Sequence, residues 1–258
     1  MKIIGKGLTI VGVIALLLGF NSMVFSADMV LWGNYQKAPK IFLDDNKQAR
    51  GVLIEIADLI ASRTGHHFIY NLAPWARAYY QSQKAKQQNT GIIGIKKNAE
   101  RLKLFDFSEP IYLDSNYLVV LKQRNLKIDK IEDLKGLRVG YNRNGYFGPK
   151  FEQAKQYFID AADTNNNLRL KKLLLGRIDA ALIGGPGRLG LKMALKQDKA
   201  LQGKEDKFIL LPLTFENPDH IAFAKNLNQT KSLDSINQAI KELTAENVIN
   251  RIIEKYDQ

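Results

Sequence analysis

Residues Glu100 to Tyr112 read E-R-L-K-L-F-D-F-S-E-P-I-Y. An arginine stands a few residues ahead of a short aromatic run, and a serine, an acid, a proline and a tyrosine close it. Such a stretch is a weak signal alone. It gains weight because strand and helix patterns alternate on both sides of it, and because L-L-L-G-R-I-D-A-A-L-I follows at 173–183.

Upstream, Met29–Asn34 reads as a short strand, and D-D-N-K at 44–47 as a turn. Over Gly51–Arg63, apolar residues at Val52, Leu53, Ile56, Leu59 and Ile60 follow a 3.6-residue period and predict an amphipathic helix. Gly65 fits its stop. His67–Asn71 reads as a strand and Ala76–Lys86 as a helix, with Pro74 tolerated at or before its first turn. Thr90–Ile95 is a further strand. This order points to a parallel sheet flanked by helices, with right-handed connections.

Downstream, the β-branched and apolar Tyr117–Leu121 reads as a strand leaving the first lobe, and the basic segment 122–130 as exposed. A second unit follows: Glu132–Gly136 as a short helix or turn, Arg138–Tyr141 as a strand, Pro149–Phe158 and Asn167–Leu175 as helices. Ile178–Ile183 is a strand broken by G-G-P-G, Gly187–Gln197 a helix, and Phe208–Leu213 the last strand of the unit. His220–Ala224 reads as a return strand, and Leu233–Tyr256 as two helices parted at Thr244–Asn247. The expected fold is therefore α/β and bilobed, with two crossings between lobes. Residues 28–121 form the first part of lobe one, 122–215 lobe two, and 216–258 the return to lobe one. A cleft between domains is a usual place for a small molecule.

The N-terminus has the three parts of a secretory leader over 1–27: Lys2 and Lys6, an apolar run from Leu8 to Phe20, then small residues. Cleavage fits after Ser26, with Val24 at minus three, or after Ala27. The run is shorter than the roughly 20 residues needed to span a bilayer, and no later stretch is long and apolar enough. The chain contains no Cys, which excludes disulfides, thiolate zinc sites and lipid attachment at the processing site. The formal charge is +12, and without the two leader lysines it is +10. A basic chain invites a nucleic-acid reading, but the lysines are spread along it and export separates it from cytoplasmic nucleic acid.

On these residues the chain resembles the periplasmic solute-binding proteins of the polar amino acid type, family 3. "GVLIEIADLIASRTG" resembles the family's first helix, "ERLKLFDFSEPIY" its arginine and aromatic–serine–acid–proline–tyrosine run, and "DLKGLRVGY" the opening of lobe two. "LLLGRIDAALI" resembles the helix-to-strand junction before the second cleft loop, and "NVINRIIEKY" the terminal helix. The resemblance spans nearly all of the mature chain. It implies a type II periplasmic-binding-protein fold, ligand capture between closing lobes, and delivery to a membrane permease of the ABC type. It also implies that Arg101 holds a ligand carboxylate, which suits a planar guanidinium. Trp75 sits where the family stacks an aromatic on the ligand, and Tyr35 matches a second aromatic wall. Arg77, two residues on, is either a second positive group or an exposed helix residue.

Three positions depart from the family pattern. Its amino acid binders carry a hydroxyl five residues before the arginine; here that residue is Lys96, with Lys97 beside it. An inward ammonium would favour an anionic ligand. The small glycine–hydroxyl pair of the first lobe-two loop is replaced by Asn144, Gly145, Tyr146 and Phe147: the aromatics either stack on the ligand or fill lobe-two volume, and Gly145 could still offer its backbone N–H. The strand after G-R-I-D-A ends on Gly184 where the family places an aspartate for the ligand's ammonium. Burying an ammonium without an acceptor is costly, so an ordinary α-amino acid fits less well than a small carboxylate, an anionic molecule or a modified amino acid. Asp163 is the one candidate to substitute; Asp179 reads as a support of the strand–turn junction.

Among function classes, an enzyme such as a cyclohexadienyl-dehydratase-like one needs a cleft base. Glu55, in the first helix, reads as structural. The adjacent His66 and His67 cannot share one strand face, and no metal-binding spacing accompanies them. The chain is therefore expected to be a binding protein rather than an enzyme. It should be periplasmic and monomeric, without cofactor, nucleic acid or membrane insertion after cleavage. Its expected partners are a small solute and a permease complex, or alternatively a membrane signalling receptor.

Overall fold

The computed structural model describes residues 28–36, 38–184 and 189–257. The expected leader and the G-P-G part of the loop after residue 184 lie outside them.

The first lobe is built on parallel strands. β1 (Asp28–Asn34) lies between β4 (His67–Ala73) and β5 (Thr90–Ile95), parallel to both. The hairpin β2 (Phe42–Leu43) and β3 (Ala49–Arg50) leads into helix α1 (Val52–Thr64). Its expected apolar face is buried at Val52, Leu53, Ile56 and Ile60, and Gly65 closes it in the left-handed region at φ 67°. Helix α2 (Trp75–Gln83) starts one residue after Pro74, which serves as its N-cap. Helices α7 (Thr230–Ala245) and α8 (Val248–Asp257) return to pack on α1, so the chain's end completes the first core.

The second lobe repeats the scheme. Strand β8 (Arg138–Gly140) is parallel to β9 (Ile159–Asp160) and β10 (Ala180–Gly184). Helices α4 (Pro149–Ala154), α5 (Asn166–Leu174) and α6 (Leu189–Lys196) flank them. Its interior divides in two. One part is aromatic, with Phe151 in ring contact with Tyr141, Phe147, Phe158 and Phe215 at centroid distances of 5.1 to 5.6 Å. The other is aliphatic, around Leu170, Leu173, Ile183, Leu191 and Leu195. Each large side chain so buried is worth roughly 1.5–3 kcal/mol.

Two strands tie the lobes together. β7 (Tyr112–Leu121) follows the short α3 (Arg101–Leu104) and β6 (Phe105–Phe107), and β11 (Phe208–Ala224) pairs antiparallel with it from Phe208–Leu121 to Asp219–Tyr112. β11 continues into lobe one, where His220–Phe223 pair with β5 and Ala222–Ala224 with β6. One sheet thus runs β4-β1-β5-β11-β7-β10-β8-β9. Phe208–Leu213 and His220–Ala224, expected as separate strands, are one 17-residue strand. Leu118–Leu121, expected to close lobe one, pack in the lobe-two cores.

Candidate functional site

In open parallel sheets, loops at the carboxyl ends of the strands form the crevice that takes ligands. Both lobes obey this. β1 ends at Asn34, β4 runs into Pro74 and Trp75, and β5 runs into Lys96. From lobe two, the loop after β8 brings Asn142 and Gly145–Phe147 to the same place. Asp114, on crossing strand β7, completes the wall of one inter-lobe cavity of about 50 Å3. A wider groove of about 510 Å3 adjoins it and shares Trp75, Arg101, Gly145 and Tyr146.

Arg101 opens α3, where Asn98 Oδ1 accepts its backbone N–H at 2.8 Å. Its Nη1 donates to the Lys96 carbonyl at 2.9 Å, and its guanidinium lies 5.2 Å from the Trp75 ring centroid and 5.6 Å from that of Tyr79. These are cation–π distances. Burial pulls its pKa down, against the attraction of Tyr79, Glu100 and Asp219; a guanidinium stays charged regardless. Among the described residues no carboxylate comes within 4 Å of it. The side chain is therefore a buried cation with aromatic neighbours and, among the described residues, no carboxylate in direct ion-pair contact.

Behind it lies a buried cluster of four charges. Lys96 Nζ donates to Asp114 Oδ2 and to Asp219 Oδ1, both at 2.6 Å. Lys40 Nζ meets Asp219 Oδ2 at 2.6 Å and Asp114 Oδ2 at 2.8 Å. Each ammonium bridges both carboxylates. Burial alone would raise the Asp114 pKa, but Lys40 and Lys96 hold it far below the usual carboxylate range. Burial would likewise lower Lys40, and Asp114 and Asp219 push it well above the usual lysine range instead. With two ammonium groups set against two carboxylates, the cluster carries no net formal charge.

Residues 31–258 match the model of the bacterial extracellular solute-binding proteins, family 3. The chain belongs to this family. It is one of solute-binding proteins, not of enzymes. The L-cystine-binding protein TcyJ of Escherichia coli (strain K12) is 23% identical over 222 residues, covering 84% of this chain and 78% of that one. An ancestral arginine-binding protein bound to arginine superposes with a TM-score of 0.72 at 24% identity, over 90% of this chain and 98% of that one. A histidine kinase sensor domain with similarity to periplasmic binding proteins gives 0.73 at 16% identity, over 90% and 96%. The bilobed type II fold expected from the sequence is thus shown.

The solute-binding protein gathers Trp75, Lys96, Arg101, Gly145 and Tyr146 around the cavity. The other expected residues stand elsewhere. Tyr35 lines a separate groove with Gln36, Phe42 and Asn165–Leu168, because the chain turns away after Asn34. Arg77 is on the exposed face of α2. Asp163 is buried but faces Arg169, whose Nη2 donates to it at 2.7 Å, with Lys172 at 3.5 Å. Its backbone receives the loop after β8, since Arg143 N donates to the Asp163 carbonyl at 2.7 Å. It is a strut of the loop, not a cleft acid.

Two expected roles also change. The Gly145 N–H is spent on the Asn142 carbonyl at 3.0 Å. Lys96 brings no free positive charge, because Asp114 and Asp219 neutralise it. The expectation that the cleft lost an acid and gained bases is corrected accordingly: Asp114 is an acid in its wall. Asp179 supports the strand–turn junction, receiving Arg138 through N, Nε and Nη2 and Arg124 through Nη2. Glu55 is bound by Lys255 and Tyr256 of α8, a structural role.

Asn34, Lys40, Asp114 and Asn142 were missed in the sequence reading. A signal for Asp114 existed: in Y-L-D-S-N, residues 112, 114 and 116 share one strand face, and all three are buried. It needed β7 to begin at Tyr112 rather than Tyr117.

Proposed function

We propose that this chain captures a small, polar, carboxylate-bearing solute in the periplasm, between its two lobes, and delivers it to an ABC-type permease. The observation that carries this is Arg101: a buried guanidinium beside the inter-lobe cavity, with no carboxylate in ion-pair reach among the described residues. A buried charge is stable only when paired, and a ligand carboxylate is the partner a planar fork takes best. Trp75 and Tyr146 supply aromatic surface on either side. TcyJ is named for L-cystine and the ancestral protein is bound to arginine; both compounds carry an α-carboxylate, which supports this role for Arg101.

The cavity has room for only a few water-sized centres, at roughly 10–15 Å3 each. Solute entry therefore requires the lobes to part and then close, with hinge motion in β7 and β11. On this reading lobe one covers 28–121 and 216–258 and lobe two 122–215, except that Leu118–Leu121 at the end of β7 already pack in the lobe-two cores, and the bending falls where the two strands pass between cores. The expected state is a monomer.

Calorimetric titration with amino acids, dicarboxylates and sugars tests the reading. A carboxylate compound should bind, and Arg101→Ala should weaken it about 100-fold with the fold intact by circular dichroism. Sugar binding alone, or unchanged affinity in Arg101→Ala, sinks it. The likeness to a kinase sensor domain favours one second reading, delivery to a signalling receptor. Deleting the gene separates them: loss of solute uptake supports transport, and intact uptake with a lost transcriptional response supports sensing.

A further inference from the structure

One lobe holds almost all of the chain's net positive charge. Residues 122–215 contain 19 Lys and Arg against 10 Asp and Glu, a net of +9. The rest of the chain from residue 28 contains 17 against 16, a net of +1. Such asymmetry between two halves of one chain points to an anionic partner. The solute does not account for it, because no Lys or Arg of lobe two lines the inter-lobe cavity among the described residues. A separate groove of about 640 Å3 gathers Lys122, Lys192 and Lys196 beside Ile209 and Leu210. Lys192 and Lys196 stand one turn apart on α6 and share a face. Lys122 opens the turn after β7, which packs against the turn Glu205–Lys207. All three lysines are exposed, and none is in an ion pair among the described residues. Where β11 begins, its side chains alternate: Phe208 is in the core and Ile209 is 38% exposed. Glu205 and Asp206 also line the groove, but Lys204 and Lys207 flank them, so that turn adds no net negative charge.

We propose that this face of lobe two docks on an anionic phospholipid surface, its lysines meeting lipid phosphates and Ile209 reaching the boundary between headgroups and acyl chains. Lysine suits this partner. Its ammonium is a point charge on a flexible stem and meets a phosphate without the fixed geometry of a guanidinium. Protein–protein interfaces favour Arg and are poor in Lys, and the cations lining this groove are all Lys. Each lysine near a negative membrane surface strengthens binding about fivefold. The contact is peripheral, since among the described residues no helix is long and apolar enough to cross a membrane. None of the groove residues lines the inter-lobe cavity. Docking therefore leaves the cleft free to take a solute, and the inference does not depend on what Arg101 holds. Its consequence is a protein held close to the bilayer in which the proposed permease sits.

Co-sedimentation of the mature protein with vesicles tests this. One set is phosphatidylcholine alone, the other phosphatidylcholine with about 30% phosphatidylglycerol. Binding should need the anionic lipid and should fall as salt screens the charges. Lys192→Gln/Lys196→Gln should weaken it about 30-fold, with circular dichroism and solute affinity unchanged. Lys231→Gln/Lys241→Gln removes the same charge from exposed positions of α7 in lobe one and should change vesicle binding less than about twofold. The vesicles hold no protein, so absent binding would assign the charge to an acidic protein surface and overturn the proposal. Equal binding to phosphatidylcholine alone, or equal losses in the two double variants, overturns it as well. Acetylation of the wild-type lysines decides the matter without any variant. Anionic vesicles should shield Lys122, Lys192 and Lys196 more than Lys231 and Lys241, and uniform labelling sinks the proposal.

Discussion

At the scale of single residues, the site rests on charges taken out of water and paired. Buried ion pairs are not stabilising by right, since desolvation offsets much of their attraction. Breaking one is different, because the survivor stays buried and unpaired. Lys96→Met strands Asp114 and Asp219 with Lys40 alone and should cost about 3–5 kcal/mol. Lys225→Ala, which removes a half-exposed pair with Asp106, should cost less than about 1 kcal/mol. Urea unfolding of both variants checks this; equal midpoints would show the cluster to be energetically like a surface pair. These pairings also mark how far the sequence could be read. Arg101 and Trp75 were legible because each lies beside a strand end, where chain order alone brings groups to the crevice. Lys96 was legible as a position but not as a partner, since Asp219 is 123 residues away. Asp163 was misplaced for a different reason: its partner Arg169 is only six residues on, but the direction in which the loop turns the carboxylate is set by the fold and not by the sequence pattern.

Elements decide how those residues are presented. Helix α1 was legible from its period, but not what lies on its start. Gly51 is its N-cap at φ 122°, and the helix's first N–H groups, of Val52 and Leu53, donate to the carbonyls of Pro39 and Lys40, each at 3.1 Å. A Cβ at 51 would collide with the Lys40 carbonyl and stand 2.6 Å from that of Pro39. The backbone that caps α1 therefore also delivers the Lys40 ammonium to the cluster. Gly51→Ala should destabilise by about 2–3 kcal/mol, from strain and a backbone collision that no rotamer relieves. It should also weaken ligand binding, unlike an equally destabilising change far from Lys40. A variant with wild-type midpoint and affinity would show that the segment can shift freely. The continuity of β11 was hidden by Pro212 and Pro218, since proline argues against a central strand. The strand tolerates both: the pairing register shifts between Leu210 and Thr214, around Pro212, and Pro218 pairs with Leu113 before β5 joins at His220.

For the molecule as a whole, two lobes with separate cores depend on ion pairs at defined points, and pH reaches both. Lys40, Asp114 and Asp219 lie where the crossing strands meet lobe one. Asp179 pins β10 to β8 in lobe two; the side-chain hydrogen bond from Arg138 is the main cause of its pKa falling to about 2. Asp114 and Asp179 both have depressed folded-state values. Their contribution is complete above the unfolded carboxylate pKa of about 3.9 and is lost as pH falls toward the folded values. Lys40 is raised, so its contribution is complete below the unfolded lysine value of about 10.4 and is lost only as pH rises past its folded value. These groups therefore leave stability level between about pH 5 and 10 and lower it on the acid side. Asp179→Asn isolates one of them. Because Arg138 and Arg124 are each about 40% exposed, solvent screening trims the effect to about 1–2 kcal/mol. Urea unfolding at pH 7 and pH 2.5 should show the gap between wild type and Asp179→Asn narrowing by that amount at the lower pH. A gap that stays constant would mean that the Asp179 carboxylate titrates at its ordinary value and that Arg138 holds β10 by geometry rather than by charge.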